Sequence, residues 1–561
     1  MNTNILAPIA VMLLAAATAR AQQVKETKQD LPKEAAKGKF HSARISKETG
    51  NLEVMYHLKG DKKEDVREYQ KYIFDRDINY LKEEDVEIPK EEAKPDKEKN
   101  VVIAQLGNGK SFSLESHKLH LTTGKYVYKW DADKGRYRRS VEEGADIVLK
   151  NEDENDYAGY AAYSNHATGD LYMLGMSIKD EQRRKVSLLH VKKADLSTEE
   201  MPIDFTSPQG LVYSGLIGNG DDDDAEGNLQ NADMIFVFAP KKADPMPDQK
   251  KYTYIRIDNA GKVKERFEID APSPNMVITS HMRAKDGAVY FTAGYNSDAG
   301  ESFEKRYGEV MYLVNPAYTA EESEKGAPNM RMYTYERDLE KRKMDVYSII
   351  KINNGKVEWM SKNVISDLDS KLQVPPGQKR GYAYDGRFLD IQIFEELPNG
   401  DFIITGQVNS RTKVNGTEWK SYEDLICFQV DKQGVIKTQY SIVPVTLKSD
   451  MNTIFPIKQK LIIGQDGNTA YLQLLENETV EHDDLNVRMG KEGKITYHSN
   501  YYPSVLKFDI GSSKITDYAV IGDHNYKLRS HPYIWLDKEK AMIYIGSDGR
   551  STIWLGRYQM N

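Results

Sequence analysis

A short motif, a glycine-containing turn followed directly by an apolar run, recurs along the whole chain and constrains its fold more than any other feature. The clearest copy is ELPNGDFIITG at residues 396–406. Eight copies can be recognised, with turns near positions 50, 109, 169, 232, 287, 400, 467 and 540. Each pairs a residue that tolerates positive φ with a run suited to a strand, which is typical of a β-hairpin. The sequence therefore predicts a chain built mainly from hairpins.

A second repeat alternates with the first and consists of a strand, a polar turn with Gly or Asp, and another strand. Clear copies lie at residues 255–263, 350–359 and 428–436, and looser ones at 74–78, 128–135 and 508–515. Two alternating hairpins make four strands per unit, and the spacing leaves room for inserted loops. The last unit shows three strands before the chain ends, and a ring can close by borrowing the missing strand from the other terminus. We expect an all-β protein, a β-propeller of about eight four-stranded blades, or seven if the first unit is incomplete.

The amino terminus has the pattern of a secretory signal. Residues 4–19 are apolar or small and carry no charge, and Ala19-Arg20-Ala21 fits the small-x-small rule for cleavage before Gln22. The pattern departs from a typical signal peptide in one respect, because its n-region, residues 1–4, contains no Lys or Arg. We predict a signal peptide at 1–21, a polar segment at 22–38, and a single propeller at 39–561 with an insertion near 296–346.

Export to the periplasm or the extracellular space follows from this interpretation. No cysteine lies near the cleavage point, which argues against a lipoprotein, and no second long apolar run predicts a transmembrane segment in the mature chain. The formal net charge is −8, which argues against nucleic acid or an anionic membrane as the main partner, because both attract clustered cations. A protein or glycan partner and a chain that is monomeric by itself are expected.

The composition also predicts how the core is held together. The single cysteine, Cys427, lies in a strand-like run and cannot form an intrachain disulfide, so a buried thiol is expected. With 35 Tyr and 15 Phe, the core is predicted to be aromatic sheet instead of leucine-rich helix.

The sharpest local motif is DDDAEGNLQNAD at residues 222–233. Acidic oxygens at its first, third and fifth positions and Gly at the sixth let a loop fold around calcium, with a carbonyl from the seventh position and an acid at the twelfth. The strand that follows resembles the FG-GAP blades of integrin-like propellers, which implies a structural Ca²⁺ site. The predicted ligands are Asp222, Asp224, Glu226, Asn228 and Asp233. Glu226 and Gln230 stand where that family has Asp, and the alternative is a solvated acidic loop.

A second resemblance concerns the turn NNGKVEW at residues 353–359. It resembles one repeat of the quinoprotein-type propellers, although the other units lack the matching Trp. The resemblance implies propeller geometry and no quinone chemistry, so no organic cofactor is indicated.

Few residues point to catalysis. The chain has no metalloprotease His pair, no Gly-x-Ser-x-Gly elbow and no phosphate-binding loop. His281 with Arg283, and His531 with Arg529, fall in the first strands of their units, and first strands line the central channel of a propeller. These four residues are therefore candidate ligand-binding residues, although a hydrogen-bonded structural histidine is the common alternative.

Three classes of function remain open. The first, favoured because the repeats are clear and the chemistry is not, is an exported non-catalytic binding or scaffold propeller. The second is a carbohydrate-active hydrolase or lyase with its site at the channel mouth, where Asp390, Glu395 or Glu396 could act. The third is a subunit of an outer-membrane export or uptake assembly, for which the insertion would serve as a docking arm.

Overall fold

A computed structural model describes residues 24–59, 66–89, 97–106, 119–131, 136–148, 157–165, 168, 170–179, 182–192, 197–203, 209–218, 232–240, 250–298, 300–307, 310–311, 333–334, 342–414, 417–443, 456–478, 500–522, 526, 528, 533–548 and 551–560. Nearly all of the regular structure there is β, in small antiparallel sheets. Two short α-helices are present, α1 (Lys33–Ala36) and α2 (Phe303–Tyr307), with a 3-10 helix at Ile365–Lys371. In this part of the chain, no helix is long and apolar enough to span a bilayer.

The strands are numbered in chain order, from β1 (Val24–Asp30), and the larger sheets are numbered by their first strand. Sheet 1 contains β2 (Lys39–Ile45), β3 (Leu52–His57), β4 (Val66–Phe74) and β5 (Tyr80–Pro89). Sheet 2 contains β6 (Lys97–Leu106), β7 (Leu119–Asp131) and β8 (Arg136–Val148). Sheet 3 contains β9 (Tyr157–Ser164), β10 (Leu171–Lys179), β11 (Gln182–Val191) and β12 (Thr198–Pro202). Sheet 4 contains β13 (Gln209–Gly218), β14 (Ala232–Pro240), β15 (Lys251–Ile257) and β16 (Val263–Asp270).

The second half of the chain continues this pattern. Sheet 5 contains β17 (Val277–Arg283), β18 (Val289–Tyr295), β21 (Val346–Asn353), β22 (Lys356–Met360) and β23 (Asn363–Val364). Between β18 and β21 in the chain, β19 (Val310–Met311) and β20 (Tyr333–Thr334) form a separate two-stranded ribbon. Sheet 6 contains β24 (Leu372–Gln373), β25 (Leu389–Glu396), β26 (Phe402–Val414), β27 (Thr417–Val430) and β28 (Ile436–Ile442). Sheet 7 contains β29 (Lys458–Ile463), β30 (Thr469–Glu478), β31 (Asn500–Asp509) and β32 (Lys514–Val520). Sheet 8 contains β33 (Tyr533–Leu536), β34 (Ala541–Ser547) and β35 (Thr552–Gln559), with β1 as its fourth strand.

Sheet 8 joins the two ends of the chain. Strand β1 runs antiparallel to β35, with Val24 opposite Tyr558 and Asp30 opposite Thr552. Strand β1 therefore completes the last sheet from the other terminus, as expected from the sequence.

The second hairpin has the same local geometry in several sheets. In sheets 1, 4, 5, 6 and 7, the pairing of the third and fourth strands shifts register just before the third strand ends. In sheet 4, Asp258 Oδ1 accepts hydrogen bonds from the backbone N–H groups of Ala260 and Lys262 at 3.0 and 2.9 Å. Asp431 makes the equivalent turn in sheet 6, and Gly434 there has φ of +81°, a conformation that favours glycine. The second repeat seen in the sequence is thus a recurring bulged hairpin.

Neighbouring sheets pack through shared apolar clusters. One cluster runs through sheets 3, 4, 5 and 6, another joins sheets 6 and 7, a third joins 7 and 8, and a fourth joins 8 and 1. First strands of successive sheets also touch, β13 with β17, β17 with β25, and β25 with β29. Tyrosine dominates the largest fully buried side chains, and Cys427 is buried, so both predictions about the core are confirmed. Burial raises the pKa of the Cys427 thiol, which keeps it protonated.

Candidate functional site

On sheets 7 and 8, lysine ammonium groups lie over partly exposed aromatic rings. The end of a sheet at which its first strand begins is called here the entry end, and the opposite end is the exit end. Lys458 and Tyr501 lie at the entry end of sheet 7, and Trp535 lies toward the exit end of sheet 8, beside the turn that contains Lys540. Lys460 Nζ lies 5.7 Å from the centroid of the Trp535 ring and 6.0 Å from that of Tyr533. Lys458 Nζ lies 4.9 Å from the centroid of Tyr501. These five residues form the lysine–aromatic cluster.

Strand alternation explains why the cluster forms. Gln459 accepts a hydrogen bond from Thr405 of sheet 6, so Lys458 and Lys460 on either side of it lie on the opposite face of β29, toward sheet 8. On β33, Tyr533 and Trp535 pack against the apolar cluster shared with sheet 7, whereas Ile534 packs toward sheet 1. Two first strands thus turn their lysines and their aromatic rings toward each other.

The cluster carries an excess of positive charge. Neither Lys458 nor Lys460 forms a salt bridge with any residue that the structure describes. A third lysine, Lys540, lies 5.7 Å from the Trp535 centroid and pairs with Asp537 at 2.8 Å. The hydrogen bond from Lys540 lowers the pKa of Asp537, which is consequently ionised at neutral pH. The ammonium groups of Lys458 and Lys460 keep hydrogen-bonding capacity for an anion, beside ring faces that can pack on apolar surface.

Arg529 and His531, two of the predicted ligand-binding residues, lie just before β33 in the chain. Both lie outside the residues that the structure describes. Their predicted role in ligand binding stays a prediction.

The other pair, His281 and Arg283, lies at the exit end of sheet 5 and bonds to sheet 4. His281 Nε2 lies 2.8 Å from the carbonyl oxygen of Leu216, which can only accept, so Nε2 carries the proton. In the neutral ring, Nδ1 then accepts from the Tyr213 hydroxyl at 2.6 Å. Arg283 Nη1 donates to the carbonyl oxygen of Gly218 at 2.8 Å. These bonds hold two first strands together; ligand binding by His281 and Arg283 stays a prediction.

Asp233, the last predicted calcium ligand, is fully buried and ion-paired. Its Oδ2 lies 2.7 Å from Arg256 Nε, and its Oδ1 lies 2.9 Å from Lys264 Nζ. The other four predicted ligands, Asp222, Asp224, Glu226 and Asn228, fall outside the described residues. Elsewhere, the described ranges contain no group of three or more His, Cys, Asp or Glu side chains that could hold a metal ion. Calcium binding by this loop stays a prediction.

The pairing of Asp233 belongs to a repeated feature that sequence reasoning missed. Asp401 occupies the equivalent position of sheet 6, as the ladders of β14 with β15 and of β26 with β27 show. Its Oδ2 accepts hydrogen bonds from Gln429 Nε2 and Lys437 Nζ, both at 2.9 Å. The signal was present in the sequence: in sheet 4 the Asp is the second residue of the second strand, in sheet 6 it immediately precedes that strand, and in both a Lys follows the second turn.

A charged network lies at the entry end of sheet 6. Arg387 Nη1 lies 2.6 Å from Glu423 Oε2, its Nε lies 3.1 Å from Asp385 Oδ2, and Lys343 Nζ lies 2.7 Å from the same Asp385 oxygen. Burial raises the pKa of the adjacent Asp424, and the negative charge of Glu423 raises it further. A carboxyl with a raised pKa can hold a proton and donate it.

One cavity of about 590 Å³ lies between the outer strands β16 and β22. Its lining includes Glu268, Asp270, Lys356 and Lys362, so it mixes charges of both signs. It is remote from the first strands that carry the lysine–aromatic cluster.

No family model matches the chain, and no curated protein matches it. Among solved structures, the chain is similar to a mutant apocarotenoid oxygenase from Synechocystis at 8% identity and a TM-score of 0.30, covering 82% of this chain and 91% of that one. The polysaccharide lyase Uly1 is similar at 9% identity and a TM-score of 0.28, covering 94% and 91%. A mutant α-L-arabinofuranosidase from Fusarium graminearum is similar at 8% identity and a TM-score of 0.25, covering 72% of this chain and 93% of that one. Likenesses this weak carry no argument about function.

Proposed function

We propose that this chain is an exported binding protein whose lysine–aromatic cluster holds an acidic polysaccharide. The observation that carries the proposal is the placement of Lys460 beside the partly exposed rings of Trp535 and Tyr533. Aromatic faces pack on the apolar C–H faces of sugar rings, and ammonium groups neutralise carboxylate or sulfate substituents. Because the lysine stems are flexible, an ammonium group can turn from a ring to the anion without moving the backbone.

The scaffold we propose is an eight-bladed β-propeller. Three features support it: the larger sheets number eight in the described ranges, they pack in chain order, and β1 completes the last sheet. In a propeller, the first strands surround a central channel. The cluster would then lie along the first strands of two neighbouring blades, beside that channel. Export by way of the signal peptide at residues 1–21 would place the protein where such polysaccharides occur.

An acidic polysaccharide is favoured over a nucleic acid by the balance of charge in the protein. The chain as a whole carries a formal net charge of −8, so long-range attraction to a polyanion is weak. Binding must therefore be local, through the cations of the cluster and through contact with its rings. A sugar polymer supplies apolar ring faces and spaced acidic groups together.

The test is binding of polygalacturonate to the mature chain by isothermal titration calorimetry, with a neutral glucan of similar length for comparison. Trp535→Ala and Lys460→Ala should each weaken binding at least tenfold. Lys432→Ala, in an exposed turn at the exit end, is the matched control and should bind like wild type. Equal binding by all four proteins, or preference for the neutral glucan, would overturn the proposal. Circular dichroism confirms that each variant is folded.

A carbohydrate-active enzyme is the second candidate, favoured by Asp424. The carboxyl has a raised pKa and lies next to an arginine whose position is set by Asp385 and Glu423. Incubation with polygalacturonate should then release shorter chains, detected as new reducing ends. Asp424→Asn should abolish that release and leave binding intact. If wild type releases no fragments while it binds the polymer, the non-catalytic function stands.

A further inference from the structure

Arg67, on strand β4 of sheet 1, is a buried cation with no counter-charge among the residues that the structure describes. The residue is 8% exposed, and its Nη2 atom is buried without a hydrogen-bond partner. Within the described part of the chain, its guanidinium forms no salt bridge. Burying a charge without pairing it is strongly disfavoured, so the site calls for an anion.

Two histidines and a tyrosine lie beside Arg67. Tyr69 is two residues further along β4, so it lies on the same face of the sheet. Its ring centroid is 4.7 Å from that of His41 and 5.3 Å from that of His57. His57 lies directly opposite Tyr69 in the ladder, and a register shift between Phe40 and Ser42 places His41 in a bulge of the first strand.

The electrostatic surroundings of His41 are positive. Partial burial of the ring lowers the pKa of His41 most, and the charges of His57, Arg67 and Arg44 lower it further. Other cations of sheet 1 have carboxylate partners: Arg44 pairs with Glu53 at 3.3 Å and Lys71 pairs with Glu84 at 2.8 Å. Glu53 and Glu84 thus neutralise cations other than Arg67.

We propose that Arg67, with His41 and His57, forms a binding site for one oxyanion, a carboxylate or sulfate group. A guanidinium presents N–H donors in a planar fork that matches two oxygens of such a group. The imidazoles add donors from the neighbouring strands, and His41 is exposed, which opens the site to solvent. The site lies on sheet 1 and shares no residue with the lysine–aromatic cluster, so it goes beyond the polysaccharide proposal.

A matched pair of variants tests the site in the mature chain. Arg67→Met removes the unpaired cation. Arg306→Met removes a second buried arginine, 9% exposed, which has partners in Glu301 and Tyr307. The probes are millimolar sulfate, acetate and monomeric galacturonate, each compared with chloride at equal ionic strength, and the readout is the melting temperature.

The wild type should show a saturable rise in melting temperature with at least one probe, and Arg306→Met should keep that rise even if its starting stability is lower. Arg67→Met should lose it. An equal rise in Arg67→Met, or no rise in the wild type with any of these probes or with polygalacturonate, would overturn the proposal. Binding of radiolabelled sulfate by equilibrium dialysis provides a second readout, expected at one per chain and weakened at least tenfold in Arg67→Met.

Two further comparisons distinguish a free anion from an anionic group carried on a polymer, and the oxyanion site from the lysine–aromatic cluster. A rise with sulfate or galacturonate alone identifies a free anion as sufficient. A rise with polygalacturonate alone, lost in Arg67→Met, identifies a group carried on the polymer; its persistence in that variant counts against the site. Trp535→Ala should retain the response to the small anions, because Trp535 is outside this site. The oxyanion site can therefore fail or stand whatever the outcome for polysaccharide binding.

Discussion

Thr552 donates a hydrogen bond from its Oγ1 to Asp30 Oδ1 at 3.4 Å, across a sequence separation of 522 residues. The two residues are also opposite each other in the ladder of β1 and β35. The amino-terminal strand thus covers the edge of the carboxy-terminal sheet, an edge that would otherwise be open to pairing with other chains. Folding of sheet 8 therefore requires both ends of the chain.

A disulfide at this position should form and stabilise the protein. In Asp30→Cys/Thr552→Cys, oxidation should link the two ends, since the residues are directly opposed, and raise stability by roughly 2–4 kcal/mol through loss of unfolded-state entropy. Faster migration in non-reducing electrophoresis and a higher melting temperature are the measurements. Single Asp30→Cys is the control, because the native Cys427 is buried and should not compete. If the two cysteines do not cross-link, the pairing of β1 with β35 at this register is wrong.

Asp233→Asn should destabilise the protein strongly. The substitution leaves Arg256, whose side chain is 13% exposed, without its buried counter-charge, and such losses cost roughly 3 kcal/mol. Asp286→Asn is the matched control, since its pair with Lys351 is 3.6 Å long and the Asp286 side chain is 56% exposed. That loss should stay below about 1 kcal/mol. Urea unfolding of both variants measures the difference. Equal losses of unfolding free energy would show that the buried ion pairs of Asp233 stabilise the protein no more than an exposed ion pair does.

Gly215→Ala should disturb the contact between sheets 4 and 5. An added Cβ would lie 2.5 Å from Cε1 of His281, so the ring must move away from Leu216 and Tyr213. We expect a loss of roughly 1–3 kcal/mol in unfolding free energy. Gly300→Ala, where nothing lies within 4 Å of the added atom, should be close to neutral. In a His281→Ala background, Gly215→Ala should cost less; the same cost in both backgrounds would argue against this contact.

Asp424→Asn should change the pH dependence of stability in a defined direction. Burial, then the charge of Glu423, raises the pKa of Asp424 above its ordinary 3.8, so the folded state holds the proton more tightly than the unfolded state. Ionisation therefore destabilises the wild type as pH rises from the unfolded-state pKa through the folded-state pKa. The variant should gain stability relative to wild type across that window. Urea unfolding at several pH values measures the gain, and a difference independent of pH would contradict the prediction.

Calcium should stabilise the protein through the loop at residues 222–233. At a hundredfold excess over Kd, a ligand that binds only the folded state adds roughly 2.7 kcal/mol to unfolding free energy. The melting temperature should rise with calcium and fall with chelator in the wild type. In Asp222→Ala/Asp224→Ala the response should vanish, while Asp298→Ala, an exposed acid in a different turn, should keep it. Equal responses in wild type and double variant would place the site elsewhere.

The hairpins were predictable from the sequence because their determinants are local. Asp431 and Gly434 lie within one turn and fix its geometry through bonds to the adjacent backbone. Apolar runs mark the strands without reference to distant residues, including β18, which is buried on both faces. The strand count in the last unit even predicted that a strand from the amino terminus would complete it.

The contacts between units were not predictable in this way. His281 was predicted as a candidate ligand-binding residue, yet its ring bonds to Leu216 and Tyr213, which are 65 and 68 residues earlier in the chain. The unpaired state of Arg67 and the approach of Lys460 to Trp535 likewise depend on residues that no short pattern connects.

The sequence by itself determined many of the strands, the turns between them and their grouping into small sheets of mostly four strands, because hydrogen bonds within a hairpin join residues close in the chain. Only the tertiary structure decided which polar side chains meet across neighbouring sheets. Packing of sheet faces sets those distances, so Arg256 is ion-paired with Asp233 in sheet 4, whereas the buried Nη2 atom of Arg67 in sheet 1 has no hydrogen-bond partner among the described residues.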